Sequence, residues 1–233
     1  MNKTIIAIGG GELKIKETLQ IDKIIAEEAK IHSGDKRACA LFIGAASHDS
    51  MPYYNTFHKT YTGELGLKTD CALTVYGEMN YGKIKDKFEK ADMIYVGGGD
   101  TVYMLKKWKE SGIDKLIINA YDRGVIIAGI SAGAICWFEN MFSDFEIMEG
   151  KSSNYTLLPA MGLIKGAACP HYNERKDEFK KAVLQNKIAD SVCIENNSAV
   201  IIRNGVIEKS LSSGGQAYRL KYFSGNITEE QIL

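Results

Sequence analysis

Short apolar runs alternate with longer amphipathic stretches along most of this chain. The first run, Thr4–Ile8, is followed by a segment in which apolar residues recur at helical spacing until Ser33. This alternation predicts βαβ units, in which parallel strands form a sheet and helices cover both of its faces. The further strands predicted in this way are Ala38–Ala45, Cys71–Tyr76, Met93–Val96 and the run that begins at Val125. The further helices are Met51–Leu65, Ile84–Ala91, the segment after Gly99, and Asp114–Asp122.

The pattern changes after the middle of the chain. Between residues 142 and 165, polar residues and glycines interrupt the apolar runs, which indicates weak strands. The elements predicted beyond it are a strand end at Ala167–Pro170, a helix at Glu174–Gln185, a hairpin of Ala199–Arg203 and Val206–Glu208, and a last strand at Ala217–Phe223. Asn204-Gly205 is a strong hairpin signal, because both turn residues tolerate positive φ. We therefore expect one α/β domain over residues 1–233: a mostly parallel sheet flanked by helices, with a C-terminal antiparallel hairpin.

One apolar run leads directly into a chemically informative turn, Gly129-Ile130-Ser131-Ala132-Gly133. A Gly-x-Ser-x-Gly pattern between a strand and helix-compatible residues is the context that a nucleophile elbow requires. A serine at the apex of such a turn is held in a strained backbone conformation, and glycines beside it avoid a steric clash. The helix that follows directs its free N–H groups at the same place. Ser131 is therefore the predicted nucleophile.

A serine hydroxyl needs a base to take its proton, and histidine is the usual base near neutral pH. His32, His48 and His58 precede the elbow, and His171 follows it. His171 comes directly after a short apolar run and Pro170, so we expect it at the carboxyl end of a strand. Active sites of open parallel sheets lie along that edge. His171 is therefore the predicted general base.

Spacing does not decide which acidic residue orients the imidazole. Asp144, Glu146 and Glu149 lie between the serine and the histidine, whereas Glu195 follows the histidine at the end of an apolar run. A carboxylate in either place could accept the imidazole N–H and fix the tautomer. These carboxylates all remain candidates on this argument.

Backbone N–H groups are the expected donors to the oxyanion of an acyl-transfer intermediate. One would come from Ala132, directly after the nucleophile, and a second from Gly98 or Gly99, which end the neighbouring strand. A glycine run that opens a helix can also hold phosphate. However, Gly97-Gly98-Gly99 and Gly9-Gly10-Gly11 both lack the Gly-x-Gly-x-x-Gly spacing and the lysine of the known phosphate loops. Nucleotide binding is the less favoured interpretation.

Composition excludes several classes of function. The 233 residues include 29 Lys+Arg and 29 Asp+Glu, so the formal net charge is zero, and neither nucleic acid nor a membrane surface is an expected partner. The N-terminal residues do not resemble a signal peptide, and no apolar stretch has membrane-spanning length. The 5 cysteines are scattered without a Cys-x-x-Cys pair. We therefore expect reduced thiols, a cytoplasmic location and no metal site. A homodimer is compatible with the sequence, which does not itself fix the oligomeric state.

Three motifs together resemble the serine peptidases that include aspartyl dipeptidase and cyanophycinase. They are Tyr95-Val96-Gly97-Gly98-Gly99-Asp100-Thr101, Gly129-Ile130-Ser131-Ala132-Gly133-Ala134 and Pro170-His171-Tyr172-Asn173-Glu174-Arg175, in the order and at the separations of that family. The resemblance implies a fold similar to flavodoxin-like and glutamine-amidotransferase sheets. It also implies a Ser-His-Glu triad in that chain order, which favours Glu195 over Glu146.

The sequence departs from the family pattern at the third member of that triad. The glutamate of relatives usually lies two residues after an isoleucine of the strand, and this position is Asn196, with Glu195 beside it. A shift of one residue turns a strand side chain to the opposite face. Either Glu195 reaches His171 through a different loop register, or an asparagine is the third member.

By resemblance, the substrate is a short peptide or isopeptide with aspartate or a β-aspartyl unit on the acyl side, and no cofactor is needed. Arg175 is the predicted ligand of the substrate carboxylate, because its guanidinium can bind a carboxylate through two hydrogen bonds. The alternatives are a small-molecule esterase or amidase and a catalytically silent binding protein of the same fold.

Overall fold

The computed structural model describes residues 2–76, 80–148 and 150–233. Its strands are β1 (Thr4–Ile8), β2 (Cys39–Ile43), β3 (Lys68–Ala72), β4 (Met93–Val96), β5 (Ile126–Ile130), β6 (Phe138–Ser143), β7 (Thr156–Pro159), β8 (Ile164–Cys169), β9 (Asp190–Ile194), β10 (Ser198–Arg203), β11 (Val206–Ser212), β12 (Ala217–Phe223) and β13 (Asn226–Ile232). These strands form two sheets, one of seven strands and one of six.

The first sheet has the order β11-β10-β1-β5-β4-β2-β3. The strands from β1 to β3 pair in parallel, and β10 and β11 add an antiparallel edge. Every residue of β1, β4 and β5 is buried. Burial on both faces explains why these strands are continuous apolar runs rather than alternating ones.

The second sheet has the order β13-β12-β9-β8-β6-β7. Only its centre is parallel, where β8 pairs with β6 and β9, and the outer strands are antiparallel. The edge strand β13 is exposed or half-buried throughout. Its polar sequence is compatible with an edge that faces solvent on one side.

Helices cover the sheets on both sides. The α-helices are α1 (Leu19–Ser33), α2 (Met51–His58), α3 (Tyr81–Lys90), α4 (Thr101–Ser111), α5 (Ile113–Asp122), α6 (Ala132–Ile135), α7 (Phe145–Met148) and α8 (Tyr172–Asn186). A π-helical segment, Lys59–Glu64, extends α2. No helix in the described ranges combines the length and the apolar character needed to cross a bilayer.

The apolar residues pack into three clusters. One contains residues of one face of the first sheet, of α4 and α5, and of β6, β8 and β9, so the two sheets share a core. The second lies under α1 and α2 on the opposite face of the first sheet. The third lies between α8 and the second sheet.

The carboxyl ends of strands from both sheets meet at one place. The chain passes from the first sheet to the second after β5 and returns after β9, and Ser131 and Asn196 lie in these two crossings. The loop after β1 binds the segments that follow β8 and β9. His171 N donates to Gly9 O at 3.0 Å, and Asn197 N donates to Gly10 O at 2.9 Å. Residues that are distant in sequence are thus held together by backbone hydrogen bonds.

The predicted fold class is confirmed: an α/β protein with mixed, partly parallel sheets and flanking helices. The hairpin of β10 and β11 is also present, with Asn204 and Gly205 at positive φ. The structure also differs from the expectation. The third strand, β3, covers Lys68–Ala72 rather than Cys71–Tyr76. The strands after the elbow, other than β10 and β11, form a second sheet, and β13 follows what was predicted to be the last strand. The sequence does not indicate β13, because it contains the polar run Thr228-Glu229-Glu230-Gln231. A strand whose residues are exposed or half-buried does not need apolar side chains.

Candidate active site

Ser131 occupies the strained turn that its neighbours predicted. Its φ of 53° and ψ of −108° lie outside the regions that L-residues favour. Both flanking glycines are required by close packing, because a methyl group at Gly129 would overlap Gly133 O and one at Gly133 would overlap Val96 O. The turn is held at its base by a hydrogen bond from Ser131 N to Ile8 O of 2.9 Å. The hydroxyl therefore projects from the carboxyl edge of the first sheet.

The structure brings His171 to this hydroxyl. The distance from His171 Nε2 to Ser131 Oγ is 2.9 Å, which is within hydrogen-bond reach for proton transfer. His171 is the N-cap of α8 and has a left-handed conformation, with a φ of 49°; it lies two residues after the end of β8. The two side chains come from different sheets and meet across the junction between them.

Asn196, and not Glu195, contacts the other nitrogen of the imidazole. His171 Nδ1 lies 2.6 Å from Asn196 Oδ1. Glu195 is corrected as the predicted third member: its Oε2 accepts a hydrogen bond from Gln216 N at 3.0 Å. The physical reason is the alternation of side chains along an extended segment, which turns neighbouring residues to opposite sides. The residue that contacts the imidazole is thus Asn196, which occupies the position of the family's glutamate, and not the neighbouring Glu195.

The first turn of α8 holds Asn196 from the other side. Asn173 Oδ1 accepts a hydrogen bond from Asn196 N at 2.9 Å. Glu174 Oε1 accepts one from Asn196 Nδ2 at 2.5 Å. The backbone and the amide of Asn196 are thus both fixed by residues that directly follow His171 in sequence.

Gly10 provides the space for this arrangement. A methyl group at Gly10 would overlap both Asn196 Oδ1 and His171 Nδ1. The Gly9-Gly10-Gly11 run does not match a phosphate loop in sequence, and the role of Gly10 in the structure is steric. The sequence signal for this role is the position of the run at the carboxyl end of a buried parallel strand.

A cleft of about 420 Å³ opens over the hydroxyl of Ser131, and we call it the Ser131 cleft. Its lining residues are Gly10, Gly11, Glu12, Leu13, Lys14, Pro52, Tyr53, Thr56, Gly98, Ile130, Ser131 and His171. Gly98 N donates a long hydrogen bond of 3.3 Å to Tyr53 Oη in the cleft. Gly99 instead packs against the backbone of Ala46, and Ala132 is the first residue of α6. Their action as oxyanion donors stays a prediction.

The environment favours a neutral imidazole at His171. Burial lowers its pKa below the ordinary value of 6.5, and the nearby charge of Arg175 lowers it further. The hydrogen bond with Asn196 and the charges of Glu174 and Asp144 act in the opposite direction but do not outweigh these effects. A neutral imidazole is the form that can accept a proton from a hydroxyl.

Comparison with known proteins agrees with this geometry. The model of peptidase family S51 matches residues 5–210. The uncharacterized peptidase YgaJ of Bacillus subtilis (strain 168) is 31% identical over 97% of this chain and 96% of its own. The uncharacterized peptidase Lmo0363 of Listeria monocytogenes is 32% identical over 72% of this chain and 83% of its own. A crystal structure of a peptidase from an acI-B1 Actinobacterium has a TM-score of 0.72 at 19% identity, covering 100% of this chain and 94% of that one, and shows the same fold.

The chain belongs to peptidase family S51. Family membership makes it a serine peptidase, and it confirms the resemblance inferred from the three sequence motifs.

In this S51 peptidase, Arg175 is paired within the protein. Its Nη2 donates to Asp144 Oδ2 at 2.7 Å, its guanidinium lies 4.8 Å from the centre of the Tyr155 ring, and the residue is 6% exposed. It lines a separate small groove beside His171 rather than the Ser131 cleft. A substrate carboxylate would have to compete with Asp144 for Arg175, so this predicted role is not favoured by the geometry.

The remaining candidates of the S51 peptidase that the structure describes lie away from the imidazole. Glu146 Oε2 accepts a hydrogen bond from Thr156 Oγ1, and Glu149 lies outside the described residues. His32 contacts Asp92, and the ring of His48 packs against Tyr103. All cysteines are free. Within the described ranges, no group of His, Cys, Asp or Glu side chains is arranged to hold a metal ion.

Proposed function

We propose that this protein hydrolyses small peptides or isopeptides through an acyl-enzyme on Ser131. The observation that carries the proposal is the 2.9 Å contact between His171 Nε2 and the hydroxyl of a serine held in a strained turn. Removal of the hydroxyl proton by Nε2 lets Oγ attack the scissile carbonyl. The imidazolium then gives the proton to the leaving amine, and water completes the reaction by the reverse sequence.

The neighbours of this pair have supporting roles in the proposed reaction. Asn196 holds the imidazole through Nδ1 and favours the tautomer with a proton on that nitrogen. The amides of Ala132 and of Gly98 or Gly99 would stabilise the oxyanion. The Gly98 amide would have to exchange its long bond with Tyr53 for one to the substrate. No step of this scheme requires a metal or an organic cofactor.

Aspartate or a β-aspartyl unit on the acyl side is the substrate class that we propose. The Ser131 cleft, at about 420 Å³, is suited to a ligand of dipeptide size. Lys14 and Glu12 both line it, and they supply a cation for an acidic side chain and an anion for a free α-ammonium group. No sequence motif marks Lys14, whose only signal is its place shortly after the first strand.

The test combines active-site labelling with substrate comparison. We expect a fluorophosphonate to label the wild type and not Ser131→Ala, and we expect Asp-X dipeptides to be cleaved faster than Ala-X dipeptides and short acyl esters. Lys14→Met is expected to reduce this preference for Asp-X, with Lys16→Met as a matched control outside the cleft lining. Labelling that persists in Ser131→Ala would contradict the nucleophile, and faster ester turnover would favour an esterase.

A further inference from the structure

An asparagine beside a histidine can direct either of two groups toward it. Its oxygen accepts a hydrogen bond from a protonated Nδ1, whereas its NH₂ group donates a hydrogen bond and requires an unprotonated Nδ1. In the second case the ring proton is on Nε2, which then cannot accept a proton from the serine. The orientation of the Asn196 amide therefore decides whether His171 can act as a base.

The carboxylate of Glu174 makes this choice. An ionised carboxylate only accepts hydrogen bonds, so its 2.5 Å contact requires the NH₂ group of Asn196 to face it. The amide oxygen is then directed at His171 Nδ1, at the observed distance of 2.6 Å. The carboxylate of Glu174 thus fixes which atoms donate and which accept in the hydrogen bonds that run from Glu174 through Asn196 to His171.

We propose that Glu174 is a positioning residue of this active site: it orients the amide of Asn196 so that His171 carries its proton on Nδ1 and leaves Nε2 free to accept the Ser131 proton. The proposal rests on the function proposed above. It explains how an asparagine can replace the acid of a triad, since the negative charge is retained one hydrogen bond further away.

A purely structural role for Glu174 makes different predictions. Glu174 lies in the first turn of α8, where a negative charge interacts favourably with the helix dipole. Such a role would change the stability of the protein but not the tautomer of His171, whose titration responds to the charge of Glu174 in either case. The test must therefore measure the His171 tautomer and activity as well as stability.

Exchanging the amide and the acid separates these roles. In Asn196→Asp alone, two carboxylates face each other, and their repulsion disfavours the ionised pair. In the double variant Asn196→Asp/Glu174→Gln, the new glutamine amide can donate to the new carboxylate, which then accepts from Nδ1. We expect the double variant to have at least about tenfold higher kcat/KM than Asn196→Asp, as coupled neighbours in one hydrogen-bond network do. Glu174→Ala alone is expected to lower kcat by about tenfold with little change in KM.

The His171 ring supplies a readout that does not need turnover. In ¹⁵N spectra of histidine-labelled protein, assigned with His171→Gln, we expect the Nδ1–H tautomer in the wild type and a loss of this preference in Glu174→Ala. We expect Glu174→Gln to lower the pH at which this ring titrates, because the groups that face it are Arg175, Asp144 and Glu174, and one of the two negative charges is removed. Glu178→Gln, an exposed position one turn further along α8, is the matched control and should not change it.

The outcomes distinguish this proposal from the proposed function. If the wild type is active but the two substitutions combine additively and His171 keeps the Nδ1–H tautomer in Glu174→Ala, the positioning role is wrong. If the wild type neither labels nor hydrolyses peptides, the proposed function fails, and the tautomer of His171 in Glu174→Ala still decides the role of Glu174.

Discussion

The two sheets contribute differently to the site. The first sheet carries Ser131 on a fully buried parallel strand, and its shape follows from local rules: apolar runs, a Gly-x-Ser-x-Gly turn and close glycine packing. The second sheet carries His171 and Asn196 on strands with weaker apolar patterns, and their positions depend on contacts with the first sheet. The nucleophile is thus specified locally, whereas the base and its partner are specified by tertiary structure. Substitutions at the junction should therefore affect activity more than stability.

Gly10→Ala should test the junction most severely. The added methyl group would overlap His171 and Asn196, and misplacing a reacting group by about 1 Å can cost about 100-fold in rate. We expect kcat/KM to fall by about 100-fold or more in a folded protein, measured together with thermal unfolding. Gly63→Ala is the matched control, since a methyl group there meets nothing within 4 Å. Near wild-type activity in Gly10→Ala would mean that the two sheets are not held in register by this loop.

Asp22→Asn probes the first sheet without touching the site. Asp22 is a fully buried residue of α1, where it accepts hydrogen bonds from Thr18 Oγ1 at 2.7 Å and Tyr61 Oη at 2.8 Å. Burial raises its pKa from the ordinary 3.8 to about 6, against the effect of these bonds. The native state therefore binds more protons than the unfolded state between these values, and stability must fall as the pH rises through this window.

The measurement is the free energy of unfolding between pH 4 and pH 7. Relative to Asp22→Asn, the wild type should lose on the order of 3 kcal/mol across this range. Asp86→Asn, at an exposed position of α3, is the control and should follow the wild type. Parallel curves for the wild type and Asp22→Asn would show that the buried carboxyl does not titrate in this window.

The same division explains what could be predicted from the sequence. The parallel core, the elbow and the hairpin follow from periodicity and turn chemistry, so they were predicted from local residues alone. The separate second sheet and β13 were not, because their strands are short, polar or exposed on one side. The sequence left open whether Asn196 contacts the imidazole, and it assigned no role to Glu174. These contacts depend on the register of the segment after β9 and on where α8 begins. Gly10 and Lys14 carry no motif, and only their packing reveals them.

Arg175→Met tests how the charge of Arg175 on α8 affects the pKa of His171. Because Arg175 lowers the pKa of His171, the acid limb of kcat/KM in the wild type should lie below pH 6.5. Removing this charge should move the limb to higher pH. Asp144→Asn breaks the same ion pair but removes the opposite charge, so its limb should move to lower pH. Shifts in the same direction for both variants would indicate altered packing rather than charge.

Glu195→Gln should have the smallest effect, and it tests directly whether Glu195 takes part in the triad. The Glu195 carboxylate accepts a hydrogen bond from Gln216 N on the far side of the segment that carries Asn196. A glutamine retains an oxygen for this bond, so we expect kcat/KM to change by less than about twofold, well within the range of an exposed surface contact. Asn196→Ala in the same assay should cost far more, because it removes the partner of His171 Nδ1. If instead Glu195→Gln caused the larger loss, the second sheet would have to adopt another register in solution, with its carboxylate rather than its amide at the imidazole.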